Sequence, residues 1–231
     1  MLQQLGESLW AHEQRVRFGG LPLWHRMSVI GLAGGGIVLH SPTRLNPELK
    51  ERLSHLGTVV AVIAPSWWHD LYLRETLHAF PNAVLYGAPT LARWSRRLPF
   101  ADVLGDSSPV LWRGDMDEHH VTGIGLFLDE VVFYHRPSRS IILADLLFNI
   151  SQSDAWLTRT LSRIVIGSYP GCRFARLYRP FVVDSRRFRA SIERILEWDF
   201  DQIVVGHGAV VQNGGQAAFR TAFQWLLKRR S

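Results

Sequence analysis

The chain has a single cysteine, Cys172, among its 231 residues. That excludes an internal disulfide and every cysteine-rich zinc site, so any metal must be held by His, Asp or Glu. Long apolar runs are missing too: none approaches the ~18 to 20 residues needed to cross a bilayer. The first seventeen residues scatter Gln3, Gln4, Glu7, His12, Glu13 and Arg15 among apolar ones. They contain neither the apolar core of a signal peptide nor a small-residue cleavage site, so a cytoplasmic location is expected. There is no internal repeat, low-complexity tract or long flexible linker, and one domain over residues 1–231 is expected. The triplet Gly34-Gly35-Gly36 is followed by no Lys-Ser/Thr pair and opens no helix, which excludes a phosphate-binding P-loop.

Hydrophobic residues make up 47% and charged residues 20% of the chain, the balance of a globular protein with a substantial core. The net charge is +6, and nearly all the basic residues are arginine, clustered at 93–97, 173–189 and 228–230. Two readings stand for these clusters. They are a patch for an acidic partner, or solvated faces and charges at helix C-termini. The partner expected is a small-molecule substrate, anionic in character, rather than a membrane or a nucleic acid; the oligomeric state stays open. Nine tryptophans are scattered along the chain as core or pocket residues.

The first half reads as strands separated by short turns. Met27 to Leu32 and Ile37 to His40 flank the glycine triplet as a hairpin. Leu49, Leu53 and Leu56 recur at helical spacing within 46–56, and Gly57 ends that helix. Val59 to Ala64 is a buried strand, leading into the loop Pro65-Ser66-Trp67-Trp68-His69-Asp70. Helices are expected over 71–80 and 89–97, with a short strand over 83–86 between them. Strands follow at 119–124, 130–135 and 140–144, the last two joined by the turn Arg136-Pro137-Ser138-Arg139. The final third is helical over 155–164, 185–198 and 216–228, and a strand over 202–205 delivers His207. The fold class expected is α/β, a four-layer αββα sandwich.

This order of elements resembles the metallo-β-lactamase superfamily from Met27 to the C-terminus. Three landmarks carry the likeness: a strand ending at the 65–70 loop, a strand ending in Asp145-Leu146-Leu147-Phe148, and a late strand ending in His207-Gly208. The chain is similar in particular to a divergent branch of that superfamily described as a domain of unknown function. The segments that match are His40-Ser41-Pro42, Ala64-Pro65-Ser66-x-x-His69, Phe80-Pro81-x-Ala83, Glu130 to Arg139, Asp145-Leu146-x-Phe148-Asn149 and His207-Gly208.

The resemblance implies two metals held by a His-x-His-x-Asp-His loop, a central-strand His, a bridging Asp and a last His. Such a centre lowers the pKa of a bound water and polarises the bond under attack. Here Ser66 and Trp68 fall where the first two loop histidines belong, and Leu71 falls on the last, so the motif is degenerate. His69, Asp70, Asp145 and His207 remain as the expected set for one divalent metal, zinc, iron or manganese. The alternative reading is structural: Asp70 and Asp145 cap helices and His207 hydrogen-bonds in a turn.

By the same resemblance, the expected activity is hydrolysis of an ester, lactone or phosphoester. Asp70 or His69 would steer the attacking water, Trp67 and Trp68 would form an apolar wall, and His135 and Arg139 would meet an anionic group. The other reading is a non-catalytic scaffold or ligand-binding relative. Glu130 and His135 point to opposite faces of a regular strand, so at most one looks inward. His119-His120 is the one other source of a central-strand ligand. His40 and Asn149 read as hydrogen-bonding supports beneath the site. His12, His25, His55 and His78 read as structural or surface residues, and Cys172 has no base beside it to make it a nucleophile.

Overall fold

The structure is a computed structural model that describes residues 1–18, 21–95, 97–105, 107–151 and 156–228. It opens with strands β1 (Leu2–Gly6), β2 (Leu9–Phe18), β3 (Leu21–Gly31) and β4 (Gly36–His40). Helix α1 (Pro47–Leu56) and strand β5 (Thr58–Ala64) follow, then α2 (Leu73–Ala79), β6 (Val84–Gly87), α3 (Pro89–Trp94) and β7 (Phe100–Val103). The middle holds β8 (Met116–His120), β9 (Val131–His135), β10 (Ser140–Ile142) and β11 (Phe148–Ile150). The last third contains α4 (Trp156–Leu161), β12 (Gly171–Arg173), α5 (Ser185–Ile195), β13 (Gln202–Val204), β14 (His207–Gly208), α6 (Gly215–Ala222) and α7 (Gln224–Leu227).

Strands β1 to β7 form one sheet in chain order, antiparallel up to β4 and parallel from β4 to β7. A second sheet has the order β13-β10-β9-β8, with β13 parallel to β10 and the rest antiparallel. A small third sheet, β12-β11-β14, sits where the two large ones meet, and it pairs Phe148 with His207.

Side-chain alternation along these strands builds the layers. Ile30, Val38, Ile63, Val131, Phe133 and Ile142 meet between the two large sheets. Met27, Val29, Leu39 and Val62 face the other way, against Leu49 and Leu53 of α1 and Leu73 of α2. Val132, Tyr134 and Ile141 pack outward on Phe188 and Ile192 of α5 and Phe219 of α6. The result is the αββα sandwich.

Local chemistry explains where the elements start and stop. Asn46 caps α1, its side-chain oxygen accepting from Leu49 N at 2.7 Å. Asp184 accepts from Arg186 N and Arg187 N at the start of α5. The helix expected over 216–228 breaks at Phe223, whose ring is buried between α6 and α7. The strand expected at 119–124 lies earlier, over β8. The helix expected over 155–164 starts beyond the described residues at 155 and ends in a π-helical turn, Ser162–Ile166. Strands β1 and β2 carry no apolar run; they form because they extend the sheet that β3 begins. No described helix is long and apolar enough to cross a membrane.

The topology fixes one edge as special. The C-terminal ends of β4 and β5 in one sheet, and of β10 and β13 in the other, open at the same place, the usual position of ligand sites in parallel α/β sheets. Strand β9 runs antiparallel to β10, so its last residue, His135, pairs with Ser140 at the opposite edge. There His135 is buried, its Nδ1 is 2.7 Å from Ser138 Oγ, and burial pushes its pKa down to about 4. The unfolded chain binds this proton near pH 6.5 and the folded protein only near 4, so the stability it confers is complete above 6.5 and is lost as pH falls toward 4. His135→Gln should therefore flatten the chemical-denaturation stability profile between pH 6.5 and 4, by up to about 3 kcal/mol; an unchanged slope would contradict a buried neutral imidazole.

Candidate metal centre

Three loops and one strand meet at the special edge. The turn after β5 closes on itself, His69 N bonding Ser66 O at 3.3 Å, and this swings the His69 ring inward. The loop after β10 brings Asp145, and the β13–β14 loop brings His207. From across the first sheet β3 contributes His25. One ring nitrogen from each of His25, His69 and His207 lies within 4.8 Å of those of the other two, and all three residues are buried. Asp145 faces two of them: Oδ2 is 3.3 Å from His69 Nε2 and Oδ1 is 3.2 Å from His207 Nε2.

Each candidate ligand is held from behind. His207 Nδ1 lies 2.7 Å from Trp24 O, and its ring stacks on Phe148 with centroids 5.5 Å apart. His69 Nδ1 is hydrogen-bonded to Ser41 Oγ, and His25 Nε2 is 3.0 Å from Pro42 O. Ser41 sits at φ +56°, a conformation few non-glycine residues adopt and one that clusters at functional sites. Ser66 Oγ donates to Asp145 Oδ2 at 2.8 Å.

The backbone of the Asp145 loop rests on Glu130, whose carboxyl accepts from Ala144 N, Asp145 N and Leu146 N at 2.7–2.8 Å. Burial pushes Glu130 up to about 8 and the Asp145 charge pushes the same way, against the three N–H groups. Arg26 performs the matching task for His207. Buried itself, it donates to Val205 O and to Gly208 O, and it pairs with Glu13. Gly206 lets these loops touch: a Cβ there would lie 2.6 Å from Ala144 O and 3.1 Å from His69 Cε1.

The donor set fits a cation. Trp24 O is a carbonyl and can only accept, so His207 Nδ1 carries the hydrogen and, in the neutral ring, Nε2 presents a lone pair. Nε2 faces a carboxylate oxygen at 3.2 Å, a contact that needs a proton or a metal ion between the two. A metal ligand held by a backbone carbonyl through its other nitrogen has this form. Burial, with His69 and His207 close by, keeps His25 neutral by lowering it to about 3. Burial alone would raise Asp145, but His69 and His207 hold its carboxyl well below the usual range, so it remains an anion.

Several expected site residues lie elsewhere. Asp70 is exposed and outside the histidine group, because the turn that directs His69 inward directs its neighbour to solvent. Nor does Asp70 cap α2, whose N-cap is Tyr72. Trp67 packs with the cluster beneath α1 and α2, away from the centre. Trp68 alone of the pair is exposed, its Nε1 donating to Phe127 O at 2.9 Å. His135 and Arg139 stand at the opposite edge, where Arg139 pairs with Asp199. His40 is buried against Phe133, and its Nε2 finds no hydrogen-bond partner among the described residues. Asn149 does support the site, donating to Ala209 O at 2.6 Å just past His207.

His25, expected to be structural, is the ligand-type residue that sequence reasoning missed. It lies in no motif, and the sequence carries no signal that sets it apart from the other histidines.

Solved structures share this architecture. A metallo-β-lactamase from Pontibacter korlensis superposes with a TM-score of 0.67 at 14% identity, over 99% of each chain. The mono-zinc form of the metallo-β-lactamase FIM-1 from Pseudomonas aeruginosa gives a TM-score of 0.67 at 14% identity, over 99% of this chain and 95% of that one. The Flv1 flavodiiron core from Synechocystis sp. PCC6803 gives 0.64 at 11% identity, over 98% of this chain and 60% of that one. No functionally curated protein is similar to the chain in sequence. The chain matches the profile described as domain of unknown function DUF4336 over residues 6–164, more than half its length, and so belongs to the DUF4336 family on a metallo-β-lactamase fold.

Proposed function

We propose that the protein is a hydrolase that uses one divalent metal, held by His25, His69, His207 and Asp145, to cleave an ester or lactone. The observation that carries this is His207 Nε2 set 3.2 Å from Asp145 Oδ1 while Nδ1 is committed to Trp24 O, with His25 and His69 beside it. Zinc, iron(II) and manganese(II) all suit a set of imidazoles and one carboxylate. When bound, such an ion lowers the pKa of a water and polarises a carbonyl.

The residues of the chain supply the rest. Ser41 fixes which nitrogen of His69 faces the centre. Ser66 and the Glu130-braced loop orient the Asp145 carboxylate. Leu71, two residues beyond His69, is exposed, and so are Trp68 and Phe127, which give the loops an apolar rim. That rim favours an acyl group without charge, and with Arg139 at the opposite edge a phosphoester is the weaker candidate.

The structural-ion reading has one observation in its favour: His69, Asp145 and His207 are only 3%, 6% and 8% exposed. Elemental analysis of protein loaded with zinc, iron(II) or manganese(II) should return about one metal per chain, and His207→Ala should lose it. A wild-type protein that retains none of the three metals would defeat both readings. Metal-dependent turnover of p-nitrophenyl esters or lactones supports the hydrolase; a metal that raises the melting temperature without turnover leaves the structural ion.

Ser41→Ala keeps the Cβ and the backbone while removing the hydroxyl on His69. It should weaken metal affinity roughly 10- to 100-fold with the fold intact by circular dichroism. Unchanged affinity would mean that His69 needs no orientation from behind.

A further inference from the structure

The stretch that holds the arginine cluster also carries exposed apolar residues that the metal centre does not use. Residues 154–187 contain seven arginines and two aspartates, with no lysine or glutamate. Trp156, Ile164, Leu177, Phe181 and Val183 of the same stretch are 69%, 72%, 48%, 44% and 75% exposed. Large apolar side chains left in water over a contiguous area mark a surface that meets a partner.

Backbone contacts join the stretch into one surface. The π-helical turn after α4 lies against the 3₁₀ helix Arg176–Phe181: Arg176 donates to Arg163 O at 3.3 Å, and a Cβ on Gly167 would lie 2.6 Å from the Arg176 Cβ. The chain then runs beside 123–125, where Gly125 N donates to Phe181 O at 2.8 Å and Val183 N to Gly123 O at 3.0 Å. Val182 packs on the core, which leaves Phe181 and Val183 outward on either side of it. Beyond Gly125 the surface continues to the exposed Phe127, at the rim of the metal centre. Charged and apolar residues are interleaved along it. Arg163 precedes Ile164, Arg176 precedes Leu177, and Arg186 and Arg187 follow Val183, all four arginines being exposed.

Partners would meet this surface differently. A second copy of the chain would bring the same excess of arginine against itself, and like charges oppose that docking. A nucleic acid suits the arginines but offers Ile164, Leu177 and Val183 nothing, since bases stack on aromatic side chains. The interface of an anionic bilayer suits both. Apolar side chains enter the acyl boundary, guanidinium groups meet the lipid phosphates, and an indole sits at headgroup level. No described helix is long and apolar enough to cross a membrane, and lying on one requires no span. We propose that this surface docks the protein on a membrane rich in anionic lipid. It contains none of the clustered histidines, so docking does not rest on a bound metal.

Vesicle sedimentation of the full-length protein tests this, with vesicles of phosphatidylcholine alone and of equal parts phosphatidylcholine and phosphatidylglycerol. The protein should bind the anionic vesicles at least tenfold more tightly than the neutral ones. Ile164→Ser with Val183→Ser changes no charge and should weaken that binding at least tenfold, with metal content and circular dichroism unchanged. Val183→Ser alone serves if the pair fails to fold, with a smaller loss in the same direction. Arg163→Gln with Arg186→Gln should also weaken binding and reduce its salt dependence. Binding that the serine pair leaves unchanged is the adsorption of any basic protein and overturns the proposal, as does no binding at all. An oligonucleotide bound equally by wild type and the serine pair, with vesicles ignored, assigns the arginines to nucleic acid. A dimer in analytical ultracentrifugation that the serine pair disrupts, with vesicles ignored, assigns the surface to a second copy. Either result overturns the proposal too.

Discussion

The 2.7 Å contact between His207 Nδ1 and the carbonyl of Trp24 sets the chemistry of the centre. A carbonyl has no hydrogen to give, so this bond places a hydrogen on His207 Nδ1 and turns Nε2 toward Asp145. The bond crosses from β3 in the first sheet to β14 in the third. Forming it requires β3 and the β13–β14 loop to be in register, and Arg26 N bonding Gly206 O at 3.0 Å supplies that register. The buried Arg26 side chain then holds Val205 O and Gly208 O on either side of His207.

A closely packed apparatus follows from that register. The sandwich brings loops from both sheets to one edge, and Gly206 allows the β10 and β13 loops to approach to backbone contact. Glu130 gathers three consecutive backbone N–H groups beneath Asp145, so the carboxylate is aimed by main-chain geometry rather than by its own rotamer alone. Ser41, Pro42 and Trp24 hold the three imidazoles from behind. Burial lowers His25, and His69 and His207 keep Asp145 ionised, so three imidazoles and one carboxylate converge as a donor set suited to a cation.

Much of the architecture was legible in the sequence because apolar periodicity and turn residues mark the central strands and helices. His69, Asp145 and His207 could be read as candidates because each lies just past a short apolar strand, where the resemblance to the metallo-β-lactamase superfamily puts metal ligands. His25 could not, since it sits near the middle of a long strand, outside every motif, and the partner strand β2 carries Glu13, Gln14 and Arg15 in place of an apolar run. Asp70 was misplaced for a local reason: adjacent residues in a tight turn diverge, and sequence does not say which one turns inward. His135 and Arg139 were misplaced for a global one, since the direction of β9 relative to β10 decides the edge at which they end. The arginine cluster was visible in the sequence, but only the pairing of 181–183 with 123–125 shows which apolar residues stand exposed among the charges.

The most direct test of the account is long-range proton–nitrogen NMR of the histidine side chains, recorded without metal and after addition of zinc. His207 should carry its hydrogen on Nδ1 in both states, with zinc shifting the Nε2 resonance and leaving Nδ1 protonated. A neutral His207 protonated on Nε2, or a spectrum in which zinc moves neither nitrogen, would contradict it.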